Sequence, residues 1–282
     1  MDLSIIIVTW NSEKYIRNCL DSILLSTGDL RYEIILVDNA STDQTTNIVE
    51  GMYPQVKLIQ NRKNAGYAKA NNQGMVESQG VYLLLLNPDT EVLENALISM
   101  LQFMEENTRV GALGPQLLNP DRTIQPSCRE FPTYATLIWE FTGLSRIFPK
   151  SRIFSRWRMG YFEFNQKREV DQPMGSCLLL RRATLQDVGI FDENFPMFFN
   201  DADLCYRIKQ VGWKIYYYPY AQVLHHKGAA TRQVKRRMIW FSHVAFFKYF
   251  KKYRTGLSNR LALYLLCIPL FLIILPRMII KK

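Results

Sequence analysis

Polar residues that follow three apolar runs of the sequence are the first candidates for chemistry. Thr9 follows LSIIIV, Asp38 follows EIILV, and Asp89 follows VYLLLL and an Asn-Pro pair. The chain has neither the G-x-G-x-x-G pattern of dinucleotide-binding enzymes nor the G-x-x-x-x-G-K-S/T pattern of P-loop proteins. A phosphate group would therefore have to be held in another way, and a divalent cation bound to a carboxylate is the usual substitute.

Asp89 is the candidate metal ligand. A carboxylate that follows a tight Asn87-Pro88 turn is a hard oxygen ligand of the kind that Mg²⁺ and Mn²⁺ prefer. An isolated Asn-Pro-Asp sequence is more often a plain turn, in which the Asp side chain bonds its own backbone. The rest of the chain has to decide between these two interpretations.

The apolar patterns predict a scaffold that brings these residues to one edge. We predict buried strands at residues 3–8, 33–37, 56–59 and 81–86, and helices from 12 to about 26 and from about 44 to about 50. This alternation is typical of an α/β fold with a mostly parallel sheet that helices cover on both faces. Ligands of such sheets bind beyond the carboxyl ends of the strands, where Thr9, Asp38 and Asp89 fall.

Other segments are less regular. Residues 61–74 are too polar for a core helix and too rich in Ala and Asn for a strand, and residues 129–167 have no clear period. Order returns in a strand at 174–180, in an acidic turn at 200–203, and in a helix through 207–211 that Gly212 can end.

Composition excludes several classes of protein. With 48% apolar and 21% charged residues in 282, the chain is not disordered, collagen-like or of low complexity. Its five cysteines are far apart and include no C-x-x-C pair, so we expect neither a disulfide framework nor a zinc ribbon, and a reducing compartment fits best.

The net charge of +10 is concentrated at the C-terminus. Residues 1–120 carry a net charge of −6, whereas residues 227–282 contain 13 basic residues, many aromatic ones and no acidic one. Such a segment can bind nucleic acid or anionic lipid. The uncharged run LALYLLCIPLFLIILP at 261–276 has basic residues on both flanks, so we favour an anionic membrane surface and expect no nucleic-acid partner. The alternative is a C-terminal helix buried against the main domain.

The two ends of the sequence suggest where in the cell the protein lies. Asp2 and the strand-like run after it lack the basic start of a signal peptide, so we expect the main domain at the cytoplasmic face of the cell membrane. Whether residues 261–280 span the bilayer is left open, because 16 uncharged residues form a helix of only about 24 Å.

Seven ordered blocks resemble the family 2 glycosyltransferases of the GT-A fold, and among these the bacterial rhamnosyltransferases of surface polysaccharide synthesis. The blocks lie within residues 3–231 and read IIIVTWN, ILVDNASTD, NAGYAKANNQG, LLLLNPD, MGSCLLLRR, FFNDADLCYRIKQVGW and VLHHKG. Any one block is weak support, but the ordered set is specific. We accordingly predict a GT-A catalytic domain at 1–231 and a membrane-associated region at 232–282.

The resemblance implies a role for named residues. On the nucleotide-sugar side it places Thr9, Asn11, Asp38, Asn39, Asn64, Gly66, Asn71, Asn87 and Asp89. Asp38 would accept hydrogen bonds from the base or the ribose. Asn71 and Asn72 have the alternative of lying on an exposed helix surface.

The resemblance also implies a metal pair and a catalytic base. Asp89 matches the last acid of the family's D-x-D motif, with Asn87 in place of the first, and His225 matches the family's C-terminal histidine as a second ligand of Mg²⁺ or Mn²⁺, with His226 as the alternative. Asp201 matches the family's base, although Asn200 replaces the acid before it.

On the acceptor side we place Asp203, Arg207 and Trp213, because the indole ring of Trp213 can stack on the apolar face of an acceptor sugar. Asp203 has the simpler explanation of capping a helix.

The implied reaction inverts the anomeric centre of a sugar, because one base opposite the leaving group suffices. The expected donor is dTDP-L-rhamnose, with UDP-hexoses as the alternative, and the expected acceptor is a lipid-linked or growing polysaccharide. The competing hypothesis is a non-catalytic nucleotide-sugar-binding or scaffold subunit, for which Asn200 would be a sign of lost catalysis.

Overall fold

The computed structural model describes residues 1–226 and 235–265, with side chains described for 1–226 and 240–265. The elements of the first half are β1 (Leu3–Thr9), α1 (Glu13–Ser26), β2 (Tyr32–Asp38), α2 (Thr45–Met52), β3 (Lys57–Gln60), α3 (Tyr67–Glu77), β4 (Tyr82–Leu86), β5 (Thr90–Val92), α4 (Ala96–Glu106) and β6 (Val110–Leu118). Those of the second half are β7 (Ile124–Gln125), β8 (Cys128–Arg129), α5 (Tyr134–Thr142), α6 (Leu144–Ile147), β9 (Arg168–Glu169), β10 (Gln172–Pro173), β11 (Cys177–Arg181), α7 (Arg182–Val188), α8 (Asn200–Gln210), β12 (Lys214–His225) and α9 (Lys235–Tyr253). Residues 257–265 are also helical.

The main sheet is mixed, and the prediction of a mostly parallel sheet holds only for its first half. Its order is β3-β2-β1-β4-β11-β6-β12-β5, and the first four of these strands are parallel to one another. The reason for the difference is β11, which enters between β4 and β6 and runs antiparallel to both. The α/β class with helices on both faces is confirmed, because β1 and β4 are buried along their whole length.

The strand register brings the predicted site residues to one edge. Thr9 lies opposite Asp38 at the carboxyl ends of β1 and β2. Cys177, the first residue of β11, lies opposite Leu86, the last residue of β4. The segments just after β4 and just before β11 therefore meet at the edge where β1 and β2 end.

Two apolar cores lie on the two faces of the sheet, because successive side chains of a strand point to opposite sides. Ile5 and Ile7 pack in the core that α1 and α4 complete. Ile6 packs in the other core, to which α3 and α8 contribute.

Helix α3 corrects the expectation that residues 61–74 form neither a core helix nor a strand. Its Asn71 and Asn72 are buried, so the exposed-surface alternative is wrong as well. The Asn72 carboxamide donates to the backbone oxygen of Phe191 and accepts from the backbone nitrogen of the same residue, which satisfies its polar atoms in the core. A polar residue in such a position is invisible to a hydropathy pattern.

Helix α9 packs against the catalytic part rather than extending away from it. Its Ala245, Tyr249 and Phe250 form an apolar cluster with Phe195 and with Ala202 of α8. Within the described residues no helix is long and apolar enough to cross a bilayer. Most of the predicted membrane segment 261–276, and the predicted domain boundary at 231, lie outside the described residues, so both stay predictions.

Candidate active site

The loop after β2 is held together by the Asp38 carboxylate. Asp38 is buried and accepts from the Thr9 hydroxyl (Oγ1 to Oδ1, 2.9 Å) and from both the backbone nitrogen and the hydroxyl of Ser41. Asn11, which has a positive φ of 50°, accepts from the Thr42 backbone nitrogen through its side-chain oxygen. Asp38 therefore uses three of its roughly four lone-pair positions inside the protein and keeps one for a ligand.

A cluster of asparagines adjoins that loop. The Asn39 side-chain oxygen accepts from Asn61 and from the Ala65 backbone, and its nitrogen donates to the Gly66 carbonyl. The Asn64 side chain accepts from the Gly66 nitrogen at 3.0 Å. Gly66 has φ +87° just before α3, and a β-carbon there would lie 3.2 Å from the Pro196 oxygen. The structure thus brings the predicted nucleotide-side residues 9, 11, 38, 39, 64 and 66 together.

Asp89 and His225 meet at the same edge of the sheet. The His225 Nε2 lies 3.5 Å from the Asp89 Oδ1, and both residues are buried. The His225 Nδ1 lies 2.7 Å from the Gln125 Oε1, a carbonyl oxygen that requires a donor. In neutral His225 the proton is therefore on Nδ1, and the Nε2 lone pair faces a carboxylate oxygen, an arrangement that a cation between them would stabilise.

Asn87, two residues before Asp89 in the same turn after β4, carries a further candidate donor atom. Its side-chain oxygen is buried and, in the part of the chain that the structure describes, has no hydrogen-bond partner. An amide oxygen, a carboxylate and an imidazole form a donor set that suits Mn²⁺ and is acceptable to Mg²⁺. No group of three or more His, Cys, Asp or Glu side chains that could hold a metal occurs among the described residues, so water and phosphate oxygens would have to complete the shell.

His226, the alternative metal ligand, has other contacts in this structure, and its role as a ligand stays a prediction. Its Nε2 lies 2.9 Å from the Glu91 Oε1, and its ring packs against Tyr15. Adjacent residues of a strand point to opposite faces, and only His225 faces Asp89.

Asp201 is the second residue of α8 and is half-buried. Its Oδ2 accepts from the Gly175 backbone nitrogen at 3.2 Å, and its Oδ1 accepts from the Ala202 backbone nitrogen at 2.9 Å. Burial raises the pKa of Asp201 above its usual value, although the hydrogen bond from Gly175 acts in the opposite direction. A carboxylate with a raised pKa is a stronger base than an exposed one.

A short backbone segment, residues 175 and 176, joins Asp201 to the turn that carries Asn87 and Asp89. Gly175 binds Asp201, and the carbonyl of the next residue, Ser176, accepts from the Asn87 backbone nitrogen at 2.9 Å. The hydroxyl of Tyr67 donates to the Gly175 carbonyl at 2.9 Å. Burial raises the pKa of Tyr67, and the charges of Asp201 and then Asp89 raise it further, so this hydroxyl stays protonated between the two acids.

Sequence reasoning missed Tyr67, Gly175 and Gln125. Tyr67 and Gly175 lie inside the quoted blocks NAGYAKANNQG and MGSCLLLRR, which is the only signal that marks them. Gln125 lies in no block, and only the fold reveals that it orients the His225 ring.

The predicted acceptor-side residues have contacts within the protein. Asp203 is fully buried and accepts from Arg207 Nε at 2.9 Å, and Arg207 also donates to the backbone carbonyls of Val188 and Ile190. Trp213 precedes β12 at the opposite edge of the sheet and donates from Nε1 to Asp187. These contacts are structural, and the assignment of the three residues to acceptor binding stays a prediction. Asn71 is buried and donates to the Tyr67 carbonyl, so its nucleotide contact stays a prediction.

Comparison with solved structures supports the fold. A crystal structure of S. aureus TarS residues 1–349 in complex with UDP-GlcNAc has a TM-score of 0.54 at 22% identity, over 86% of this chain and 66% of that one. A crystal structure of GalNAc-T7 with UDP, GalNAc and Mn²⁺ has a TM-score of 0.58 at 16% identity, over 80% of this chain and 44% of that one.

Comparison of sequences identifies the family. An N-acetylglucosaminyl-diphospho-decaprenol L-rhamnosyltransferase of Mycobacterium tuberculosis is 30% identical over 81% of this chain and 77% of its own length. Rhamnosyltransferase WbbL of Escherichia coli is 25% identical over 91% and 95% of the two chains. The family described as "Glycosyl transferase family 2" matches residues 4–188. The resemblance of the seven blocks is thereby confirmed, and the chain is a glycosyltransferase that belongs to glycosyl transferase family 2.

Proposed function

We propose that this glycosyltransferase moves a sugar from a nucleotide-sugar donor to a lipid-linked acceptor, with inversion at the anomeric carbon and with a divalent cation. The observation that carries the proposal is the link from Asp201 through residues 175 and 176 to Asn87. It places one carboxylate of raised basicity beside, but separate from, the pair Asp89 and His225. A single base opposite a leaving group is what a one-step inversion needs.

In the proposed step Asp201 accepts the proton of the acceptor hydroxyl. The acceptor oxygen forms a bond to the anomeric carbon, and the bond between that carbon and the donor's diphosphate oxygen breaks. The nucleoside diphosphate leaves with the electron pair. Gly175 orients the carboxylate through its backbone nitrogen, and the Tyr67 hydroxyl fixes the Gly175 carbonyl.

Asp89, His225 and the Asn87 side-chain oxygen are the residues that would hold Mg²⁺ or Mn²⁺. When bound, the cation supplies positive charge against the diphosphate as negative charge develops on it. Gln125 holds the imidazole in the tautomer that presents Nε2 toward Asp89.

The proposed donor is dTDP-L-rhamnose, with UDP-hexoses as the second candidate. The M. tuberculosis and E. coli relatives are rhamnosyltransferases by name, whereas the structural neighbours contain UDP or UDP-GlcNAc. The test is release of nucleoside diphosphate by purified protein from a panel of dTDP- and UDP-sugars, with Mg²⁺, Mn²⁺ or EDTA. If the protein turns over only a UDP-hexose, the UDP-hexose takes the place of dTDP-L-rhamnose as the proposed donor. If EDTA does not change the release of nucleoside diphosphate, the proposed requirement for a divalent cation is wrong.

The configuration of the product tests the mechanism separately. We expect NMR of the product to show the anomeric configuration opposite to that of the donor. Retention would refute the one-step displacement by Asp201, whatever the donor is.

We further propose that the enzyme works at the cytoplasmic face of the cell membrane on an acceptor such as the diphospho-decaprenol sugar in the name of the M. tuberculosis relative. Exposed apolar side chains on the C-terminal helices and on α5–α6 support this, among them Phe141, Ile147, Phe148, Leu257, Leu261 and Leu265. Exposed Arg146, Lys150 and Arg152 accompany them, a mixture that suits anionic headgroups.

Vesicle binding tests this location. The full chain should sediment with vesicles that contain phosphatidylglycerol more than with neutral vesicles, and a double change of Ile147 and Phe148 to Ser should weaken binding to both. Equal amounts in the pellet with and without vesicles would refute the proposal. Retention on RNA or DNA with a steep salt dependence would instead favour a nucleic-acid surface.

A further inference from the structure

Arg129 is a cation inside the protein that forms no ion pair with any side chain of residues 1–226 and 240–265. It lies at the end of β8 and is half-buried, and its Nη1 donates only to backbone carbonyls, to Cys128 at 3.0 Å and to Arg158 at 3.5 Å. The neighbouring acids are used elsewhere, since Glu130 pairs with Arg156 and Glu140 pairs with Arg158.

Burial disfavours the charged form of the Arg129 guanidinium. Burial lowers the pKa of Arg129 from its ordinary value, and the positive charge of nearby Arg158 lowers it further, whereas the charges of Glu140 and Asp201 act in the opposite direction. A buried cation without an ion pair is stabilised when an anion binds to it. A guanidinium whose Nε and Nη2 donate to no described residue has the planar fork that fits two phosphate oxygens.

Two further polar groups lie near Arg129 in space or along the chain. The ring of Trp157 lies under the guanidinium, 5.8 Å from the Arg129 Cζ to the ring centroid, and its Nε1 is buried without an acceptor. The buried hydroxyl of Ser127, two residues before Arg129, interacts with the Cys128 thiol and has no stronger partner among the described residues. Buried N–H and O–H groups are normally satisfied, so the Trp157 N–H and the Ser127 hydroxyl are available as donors to an anion at Arg129.

The position of Arg129 relates it to the catalytic base. Arg129 lies directly opposite Gln172 in the two-stranded sheet of β8 and β10, and the Gln172 side chain interacts with the Asp201 carboxylate. At the other end of the same segment Gln125 contacts His225. The chain from 125 to 129 therefore runs from the metal pair to the side of Asp201.

We propose that Arg129, with Trp157 and Ser127, binds the phosphate group that joins the acceptor sugar to its lipid. The inference rests on the proposed function, in which Asp201 takes the proton of the acceptor sugar. A sugar whose hydroxyl is at Asp201 would carry its phosphate about one sugar ring away from that carboxylate, and Arg129 is near enough to Asp201 for their charges to interact. The donor's diphosphate is assigned to the Asp89 side, so the two phosphate sites are distinct.

Pyrophosphate binding tests the site without turnover. Calorimetry with inorganic pyrophosphate in EDTA should detect binding to the wild-type chain and to D89A, and binding roughly 10- to 100-fold weaker to R129Q, because a charge-assisted hydrogen bond is lost. R156Q is the matched control, since Arg156 is an exposed arginine of the same region, and it should bind as the wild type does. Equal pyrophosphate affinity of R129Q and the wild type would overturn the proposal. Loss of pyrophosphate binding in D89A alone would overturn it too, because pyrophosphate would then bind on the donor side.

Kinetics then separates acceptor from donor. The acceptors are a short-chain prenyl diphosphate that carries N-acetylglucosamine and the decyl glycoside of the same sugar, which has no phosphate. R129Q should raise the KM of the diphosphate acceptor roughly 10- to 100-fold and leave the KM of the donor and of the decyl glycoside unchanged. A raised donor KM would overturn the assignment to the acceptor.

Failure of the proposed function can be distinguished from failure of the proposed anion site. If the wild type transfers sugar to neither acceptor, the proposed function fails while the pyrophosphate titration still decides the anion site. If R129Q does not fold by thermal melting, R129K and W157F take its place. W157F keeps the ring and removes the N–H, so it should weaken pyrophosphate binding severalfold, and wild-type affinity in both variants would overturn the proposal.

Discussion

The Lys252 Nζ lies 2.5 Å from the Asp203 Oδ1, which joins helix α9 to the helix that carries the proposed base. The Tyr253 hydroxyl donates to the same oxygen at 2.6 Å, and Arg207 binds the other one. Asp203 is fully buried, and its three partners, Lys252, Tyr253 and Arg207, compensate the burial of its carboxylate. The C-terminal helix is therefore part of the support of α8 and not an appendage.

Removal of one partner should destabilise the fold. We expect Lys252→Ala to lower the free energy of unfolding by about 1–3 kcal/mol, because it weakens the compensation of a buried carboxylate. Lys251→Ala, on the exposed neighbour in the same helix, should change it by less than about 0.5 kcal/mol. Urea unfolding followed by circular dichroism measures both. Equal stability of the two variants would show that the ion pair contributes nothing to the support of α8.

Asp89 should couple the divalent cation to the donor. In the wild type, calorimetry should show tighter nucleotide-sugar binding with Mn²⁺ than with EDTA, and Asp89→Ala should abolish that difference and lower the rate by roughly 10²-fold or more, since a metal ligand is lost. Glu91→Gln is the control, because Glu91 pairs with His226 outside the metal pair. If D89A still binds the nucleotide-sugar more tightly with Mn²⁺ than with EDTA, Asp89 is not the metal ligand.

Asp201 should control the chemical step and its pH dependence. Asp201→Asn should lower kcat roughly 10²- to 10⁴-fold with the donor Kd unchanged, because general base catalysis contributes that much. Since burial raises the pKa of Asp201, the wild-type rate should fall as pH drops through a value above that of an exposed Asp, when the base becomes protonated. A pH–rate profile that is flat down to about pH 4, where an exposed Asp titrates, would contradict the raised pKa.

The sequence predicted the first four strands, and the meeting of Thr9, Asp38 and Asp89 at one edge, because these rest on local patterns. Apolar runs that end in polar turns fix where Thr9, Asp38 and Asp89 lie, and the parallel register then brings them together. Local patterns do not encode the entry of β11 between β4 and β6, which made the sheet mixed.

The internal contacts of the residues assigned to the acceptor side could not be predicted, for a related reason. Asp203 and Arg207 have the residue types of a binding site, and only the packing of α9 against α8 reveals that their charges are used internally. Trp213 is near Asp201 in sequence, but α8 and the turn after it carry it to the opposite edge of the sheet. Arg129 lies in a stretch without hydrophobic periodicity. That it forms no ion pair follows only from the fold, in which Glu130 and Glu140 pair with other arginines.

Gly74 tests the tight contact between α3 and β1 on which the asparagine cluster and Tyr67 depend. A β-carbon at Gly74 would lie 2.5 Å from the Cγ2 of Ile6, a side chain that is fully buried and cannot move away. Gly74→Ala should therefore destabilise the protein by about 1–3 kcal/mol, because overpacking outweighs the gain of about 1 kcal/mol in helix propensity. Gly51→Ala in α2 is the matched control, since a β-carbon there meets nothing within 4 Å. That variant should be stabilised by about 0.4–1 kcal/mol. Urea unfolding compares the two, and a Gly74→Ala protein as stable as Gly51→Ala would mean that α3 can shift away from the sheet without loss.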